Sequence, residues 1–251
     1  MKELRRKQIT AYVASKKTAS MEELVKEFGV SMNTIRTDVA YLVHAGALNK
    51  IYGGVEYCCD QSVAIFTARQ VKNVAEKKRI ARSAAGRLQN GDCVFIDAGT
   101  TTMYIPDYIN PKLNLTMVTA NLYVINSVIK LPNVRLIVLP GELDRRTNSL
   151  KSEGLLAELD RCSFTKAFMG CSGVSVDGRA MVSNYAECAF KSKALEKSRS
   201  AFLLADSEKF QKTSVIIYAF LNQFTGMISD GGLCAQDQEL CERCGVPLEI
   251  V

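Results

Sequence analysis

The feature that most narrows the fold is the segment at residues 20–54, SMEELVKEFGVSMNTIRTDVAYLVHAGALNKIYGG, in which two short helical patterns meet at a glycine and lead into a glycine-ended hairpin pattern. Ser20 followed three residues later by Glu23 is a capping box, so a helix is expected from Met21 to about Phe28 with Leu24, Val25 and Phe28 turned inward. Gly29 ends it. Ser31 caps the next helix, in which Ile35, Val39 and Leu42 recur on one side and mark a buried stripe. The opposite side carries Asn33, Thr37 and Tyr41, with Thr34 and Arg36 at its edges. Short hydrogen-bonding groups plus a guanidinium are what reach phosphates and base edges when a helix N-terminus enters a major groove. Ser31, Asn33, Thr34, Arg36, Thr37 and Tyr41 are therefore the candidate DNA contacts. Leu48 to Val55 reads as two short strands, a wing whose Lys50 touches the DNA backbone, against the alternative of an ordinary surface hairpin.

The expected electrostatics agree. Lys2 to Lys17 holds six basic residues, Lys2, Arg5, Arg6, Lys7, Lys16 and Lys17, against the single acid Glu3, in a chain of 251 residues with a formal charge of +6. Most of the excess charge thus sits at the DNA end, as an electrostatic footprint requires, although a solvated charged helix has the same composition. A hydrophobic fraction of 47% is ample for a packed core and excludes a disordered chain. No apolar run approaches the roughly 18 residues that span a bilayer, and the charged start lacks the apolar region of a secretory signal. A cytoplasmic protein without membrane contact is expected.

The nine cysteines form an odd, scattered set, for which reduced thiols are the default. Only Cys241 and Cys244 have metal-ligand spacing; Cys234 and the Cys58-Cys59 pair would have to complete a site, and the sole histidine, His44, closes the second helix of the DNA module. Neither a metal nor a cofactor is expected.

From Asp60 to Leu88 the pattern is helical, with no Pro or Gly break before Gly86, and is expected to join two domains. Beyond it, apolar runs at 93–96, 115–118, 134–139, 167–169, 201–204, 215–218 and 227–228 alternate with helical stretches at 122–131, 155–159 and 187–197. This alternation implies a Rossmann-like α/β domain with a largely parallel sheet, whose ligand sits beyond the carboxyl ends of the strands. The expected organisation is a winged helix-turn-helix domain at 1–57, a linker helix at 58–75 and an α/β sensor domain at 76–251, with a short helix and a final strand near the C-terminus.

At the end of the first of these strands stands Asp97-Ala98-Gly99-Thr100-Thr101-Thr102. Gly99 permits a tight turn, three hydroxyls offer donors, and a following helix would expose N–H groups to an anion. Chemically this is a phosphate cradle, although it has neither the Gly-Lys-Ser/Thr ending of a Walker loop nor the spaced glycines of a dinucleotide fingerprint. A threonine-rich cap that binds nothing is the competing reading. Thr119 and Asn121, and Gly141 after Pro140, end two neighbouring strands, while Asp206 and Lys209 follow another, Lys209 as a point charge for a phosphate.

Val30 to Val39, VSMNTIRTDV, followed by Gly53-Gly54, then DAGTTT at 97–102 and LADSEKF at 204–210, resembles the DeoR family of bacterial transcription regulators over nearly the whole chain. The resemblance implies a second domain of the ribose-phosphate isomerase and CoA-transferase type that senses a phosphorylated sugar or related metabolite. It assigns Asp97, Gly99, Thr100, Thr101 and Thr102 to the effector loop, Glu187 to an acidic position before a helix, and Lys209 to a late lysine. The chain departs from the family pattern at Ala120, Pro140, Thr37, Lys50 and Tyr52. The expected function is a DNA-binding repressor of a carbohydrate-metabolism operon, acting as a homodimer or homotetramer on a two-fold operator. The alternatives are a sugar-phosphate isomerase or CoA-transferase-like enzyme with an accessory DNA-binding domain, using Glu187 and Lys209, and an effector-free architectural protein.

Overall fold

The computed structural model describes residues 2–44, 46–57 and 61–251, with side chains described from residue 66 onward in the last stretch. The chain divides into two compact units, 1–72 and 73–251.

The first unit contains α1 (Lys2–Lys16), β1 (Thr18–Ser20), α2 (Met21–Phe28), α3 (Met32–His44), β2 (Leu48–Ile51), β3 (Gly54–Tyr57) and α4 (Gln61–Gln70). Helix α2 starts where its capping box places it. The Ser20 hydroxyl accepts from the Glu23 N–H at 3.1 Å, while Glu23 accepts from the Ser20 N–H. Gly29 closes the helix at φ 61°, a left-handed conformation that suits glycine. Ile9 and Val13 of α1, Leu24 of α2, and Ile35, Val39 and Leu42 of α3 converge with Ala19, Leu48 and Val55 in one core.

Strand β1 is a departure from the sequence reading. Three residues, Thr-Ala-Ser, carry no periodic signal, yet they pair with β3 to give a three-stranded antiparallel sheet of order β1-β3-β2. The two wing glycines answer separate demands. Gly53 turns the hairpin at φ 75°, whereas a Cβ on Gly54 would lie 2.3 Å from the Ala19 carbonyl oxygen across the β1 pairing.

The stretch read as helical from Asp60 to Leu88 forms two helices, α4 and α5 (Val74–Gly86), and Asp60 lies outside the described residues. The break falls at Asn73, at φ 52°, ψ 41°. Asparagine is one of the few residues other than glycine that visits the left-handed region readily, so the interruption needed neither Pro nor Gly.

The second unit continues through β4 (Cys93–Ile96), β5 (Leu115–Thr119), α6 (Leu122–Val128), β6 (Val134–Val138), β7 (Glu142–Asp144), β8 (Ser149–Lys151), α7 (Leu155–Asp160), β9 (Phe164–Met169), β10 (Gly173–Val174), β11 (Arg179–Val182), α8 (Tyr185–Glu196), β12 (Ser198–Leu204), β13 (Ile216–Phe220), β14 (Gly226–Ser229), α9 (Ala235–Arg243) and β15 (Leu248–Ile250). Seven strands form an all-parallel sheet of order β15-β14-β12-β9-β4-β5-β6. Its strands are apolar on both faces, as strands covered on both sides must be. Phe95, Ala167, Met169, Ala201 and Leu203 point to one face, where Leu159 of α7, Ala194 of α8 and Leu240 of α9 meet them. Phe168 and Phe202 point to the other face and stack at 5.5 Å, with the Arg87 guanidinium over the Phe202 ring.

Of residues 215–218, expected in this sheet, 216–218 instead belong to β13 in a small antiparallel sheet of order β10-β11-β13. Between Leu204 and Ile216 the chain makes only a 3-10 turn, Ser207–Lys209, which is too short for the helical crossover that a parallel neighbour demands. The β7-β8 hairpin likewise lies outside the seven-stranded sheet.

Strand order reverses between β4 and β9. From β4 the chain progresses through β5 to β6 in one direction, and from β9 through β12, β14 and β15 in the other. A crevice at the carboxyl ends of β4 and β9 is the switch point at which such sheets bind ligands.

Candidate functional sites: a helix-turn-helix face and a strand-end crevice

In the first unit, Ser31, Asn33, Arg36, Thr37, Tyr41 and Lys50 are exposed and Thr34 is half-buried. Arg36 and His44 of α3 line a groove whose other wall, from the wing, carries Lys50 and Ile51. Three hydroxyls are spent locally. Ser31 caps the Thr34 N–H at 3.2 Å and shares a hydrogen bond with the Thr34 hydroxyl, and Thr37 donates to the Asn33 carbonyl at 2.9 Å. Among the described residues, no side-chain hydrogen bond or ion pair engages Asn33, Arg36 or Lys50. Tyr41 has a different place: the Arg6 guanidinium lies 3.7 Å above its ring.

The residue that sequence reasoning passed over is Asp38. Fully buried on the inward side of α3, it accepts from Arg5 at 2.7 Å and from Arg6 at 2.8 Å. Burial pushes its carboxyl upward, but the two guanidiniums outweigh burial and hold it below the ordinary 3.8. Lys16 pairs with Glu23. Half of the basic set in α1 and its end is thus internal bracing, which corrects the expectation that this charge forms one footprint for DNA. Lys2, Lys7 and Lys17 have no carboxylate partner among the described residues.

In the second unit, loop 97–102 leaves β4 at the switch point. Asp97 is buried, and its two oxygens are fully engaged. One accepts from the Gly99 N–H at 2.9 Å and the Thr102 hydroxyl at 2.5 Å; the other accepts from the Gly170 N–H at 2.7 Å and pairs with Lys191. Lys191, also buried, donates to the Gly170 carbonyl at 2.9 Å, a carbonyl shared with the Tyr218 hydroxyl. Burial would neutralise this carboxylate, yet Lys191, Thr102 and Gly170 hold it below its ordinary pKa, and Asp97 in turn raises that of Lys191. Asp97 and Thr102 build the loop.

Thr119 and Asn121 do the same from the neighbouring strand. The Thr119 hydroxyl donates to the Ile96 carbonyl at 2.7 Å and accepts from the Asn121 N–H at 3.0 Å. The Asn121 amide donates to the Asp97 carbonyl at 3.1 Å while its oxygen caps α6. Gly141 stands against β8, where a Cβ would lie 2.3 Å from the Lys151 carbonyl oxygen. Its place is therefore in the hairpin connection.

Thr100 and Thr101 differ from these. Both residues are almost completely buried, yet among the described residues neither their hydroxyls nor their N–H groups donate to a protein acceptor. Lys209, half-buried in the 3-10 turn after β12, has no carboxylate partner among the described residues and is close enough to the Cys171 thiol at the end of β9 to favour its ionised form. Burial nevertheless pushes that thiol up to about 12. Glu187 sits in the first turn of α8, 3.9 Å from Lys191, and with Ala98 lines a cleft of about 200 Å³ whose walls are mainly Leu150, Leu155, Leu156 and Phe190.

One expectation for the loop changes. It opens a 3-10 segment, Thr102–Tyr108, with Pro106 inside, rather than an α-helix, so few peptide dipoles align behind it. Lys191, Gly170 and Tyr218 were not singled out from sequence; the available signal was a lysine one helical turn after Glu187.

The remaining thiols form no metal centre among the described residues. Cys241 is buried against Met227, and Cys58 and Cys59 lie outside the described residues. No helix among the described residues is long and apolar enough to cross a membrane.

Comparison with known proteins finds a match for each of the two units. Residues 5–61 match the DeoR-like helix-turn-helix domain and residues 72–231 match the DeoR C terminal sensor domain. The chain is 34% identical over 244 residues, 97% of its length and 96% of the relative's, to the HTH-type transcriptional regulator IolR of Bacillus subtilis. It is 32% identical over 238 residues, 94% of each protein, to the L-fucose operon activator of Haemophilus influenzae. It is 30% identical over 211 residues, 84% of each, to the glycerol-3-phosphate regulon repressor of Escherichia coli. With a capped helix pair and wing at one end and a strand-end crevice at the other, each matched in the same order along nearly its whole length, this chain belongs to the DeoR family of DNA-binding transcriptional regulators.

Proposed function

We propose that this regulator represses a carbohydrate-metabolism operon and that its DNA affinity is set by a phosphorylated sugar held beyond β4, β9 and β12. The observation that carries this reading is the set of unspent donors on Thr100 and Thr101. These N–H and O–H groups have no protein acceptor, and the two hydroxyls are not among the buried unpartnered atoms, so they remain open to a ligand; a phosphate supplies several acceptors at once. Gly99 keeps the loop close to the anion, Lys209 provides positive charge, and Glu187 accepts from sugar hydroxyls at the adjoining cleft. Asp97, Thr102, Thr119 and Asn121 position the loop without touching the ligand, and Gly141 shapes the neighbouring hairpin. The relatives' names add a regulon of glycerol 3-phosphate and an operon of L-fucose.

On DNA, Arg36 and Asn33 read base edges and Lys50 contacts phosphates, while Ser31, Thr34 and Thr37, whose hydroxyls are engaged within α3, shape its N-terminal turn, and Tyr41 acts by holding Arg6. Two copies address a two-fold operator, the usual route by which a helix-turn-helix gains specificity. The enzyme alternative is set aside because the relatives across the full length are regulators.

The test is thermal stability against a panel of sugar phosphates and their unphosphorylated parents. Ligand at a hundred times its dissociation constant adds about 2.7 kcal/mol. A shift confined to phosphorylated members is expected, and it should vanish in Lys209→Ala; equal shifts with unphosphorylated parents would overturn the anion reading. Separately, Arg36→Ala is expected to weaken operator binding by about 1–3 kcal/mol in a fluorescence titration, with the ligand-induced thermal shift unchanged.

A further inference from the structure

Asn73 is the first residue of the second unit and the cap of α5, since its carbonyl accepts the Lys77 N–H at 3.0 Å. Asparagine at such a position ordinarily turns its side-chain oxygen onto its own helix. Here the side chain makes no capping bond. It donates instead, at 3.2 Å, to the carboxylate of Asp206, 133 residues further along the chain. Asp206 is buried, two residues beyond the end of β12, and its carbonyl accepts the N–H of Lys209 at 2.9 Å within the turn that follows. One hydrogen bond therefore ties the break between α4 and α5 to the turn that carries the crevice lysine.

The break is also the place where local preference and structure disagree. Residues from Gln61 to Leu88 carry a helical pattern without Pro or Gly before Gly86, yet the chain at Asn73 is left-handed. Such conflicts between local preference and observed conformation concentrate at functional positions. With residues 71–73 all in the ordinary helical region, α4 and α5 would join, and the N–H groups of Asn73, Val74, Ala75 and Glu76, which have no acceptor in the broken form among the described residues, would find carbonyls one turn earlier.

We propose that the Asn73–Asp206 hydrogen bond is a latch that holds the connecting helix broken, and that occupancy of the crevice at Lys209 sets whether the latch is closed. This rests on the effector reading above. An anion that draws on Lys209 moves the turn shared with Asp206; the carboxylate moves with it, and Asn73 is either released or held. The connecting segment is then a two-state element of the kind that coupling between distant sites requires.

The experiment is amide hydrogen exchange on the full-length protein, resolved by peptide, for the parent, Asn73→Ala and Asn73→Gly, each with and without millimolar inorganic phosphate. Alanine disfavours the left-handed region and favours helix, so in Asn73→Ala the amides of residues 73–76 are expected to slow by about fivefold, the effect of one gained backbone hydrogen bond. Glycine lacks the amide group and so opens the latch as well, but it keeps the left-handed conformation accessible, so in Asn73→Gly the same amides are expected to slow by less than in Asn73→Ala. Phosphate is expected to slow residues 98–102 in all three proteins and to change residues 73–76 in the parent alone. If both variants exchange like the parent at 73–76, or if phosphate protects 98–102 in the parent and leaves 73–76 unchanged, the latch is refuted and the effector site stands. If phosphate protects neither segment, the anion site fails and the latch with it.

Discussion

Lys191→Met is expected to destabilise the second unit by about 3–5 kcal/mol, the usual result of stripping one partner from a buried ion pair. Methionine preserves most of the side chain's length and apolar volume, so the loss reports the charge. The Asp97 carboxylate would keep the Gly99, Thr102 and Gly170 donors but would face the interior with no cation. Since domain stability is only about 5–15 kcal/mol, urea unfolding followed by circular dichroism should show a midpoint displaced by a large fraction of its starting value. The double variant Asp97→Asn with Lys191→Met should recover part of the loss, because a neutral amide needs no counter-charge. A single-variant loss below about 1 kcal/mol would mean that the pair contributes little beyond shape. The pH dependence has a definite sign. Asp97 titrates below its ordinary 3.8 in the folded protein, so its contribution is complete above that value and disappears as pH falls through the depressed one. Lys191 titrates above its ordinary 10.5, so its contribution is complete below 10.5 and disappears as pH rises through the elevated value.

Asp38→Ala is expected to cost the DNA-reading unit about 2–3 kcal/mol and to abolish operator binding without altering any side chain on the DNA face. The figure is set below that for Lys191 because Arg5 and Arg6 remain 21% and 17% exposed and regain water when the carboxylate is removed. Binding fails because α1 loses its fixed angle across α3, and the Arg6 guanidinium leaves the Tyr41 ring. Operator titration separates this from a direct contact: an affinity loss restored at low temperature, where the unit refolds, identifies a packing defect. Acid should act in the same direction, because the carboxyl is held below 3.8 and its contribution disappears as pH falls through that lower value.

Legibility in the sequence followed the range of the interactions involved. The capping box, Gly29 and the Ile35-Val39-Leu42 stripe are decided within one or two helical turns, and the structure places them as written. The parallel strands were legible because burial on both faces leaves continuous apolar runs. Strand β1 was not legible, since its pairing to β3 depends on a partner more than thirty residues away. Asp38 reads as a polar interruption of an apolar stripe until Arg5 and Arg6 are brought over it. In the crevice, the residue types on loop 97–102 were evident, but the division between Asp97 and Thr102, which build the loop, and Thr100 and Thr101, which keep their donors free of protein acceptors, depends on Gly170 and Lys191 arriving from other elements. Position 73 misled for a different reason: asparagine is weakly informative in sequence, and its conformation here is accompanied by a bond to Asp206.

The order β1-β3-β2 has a mechanical consequence. The last strand of the wing, from which the chain departs after Tyr57, is the middle one, with β1 on one side and β2 on the other. A pull along the chain from residue 58 onward is thus resisted in shear by two ladders simultaneously, instead of peeling an edge strand bond by bond. The recognition helix and wing should then rotate or translate as one stiff block under load, so that displacement at the C-terminal end of β3 reaches the DNA-facing groove undiminished.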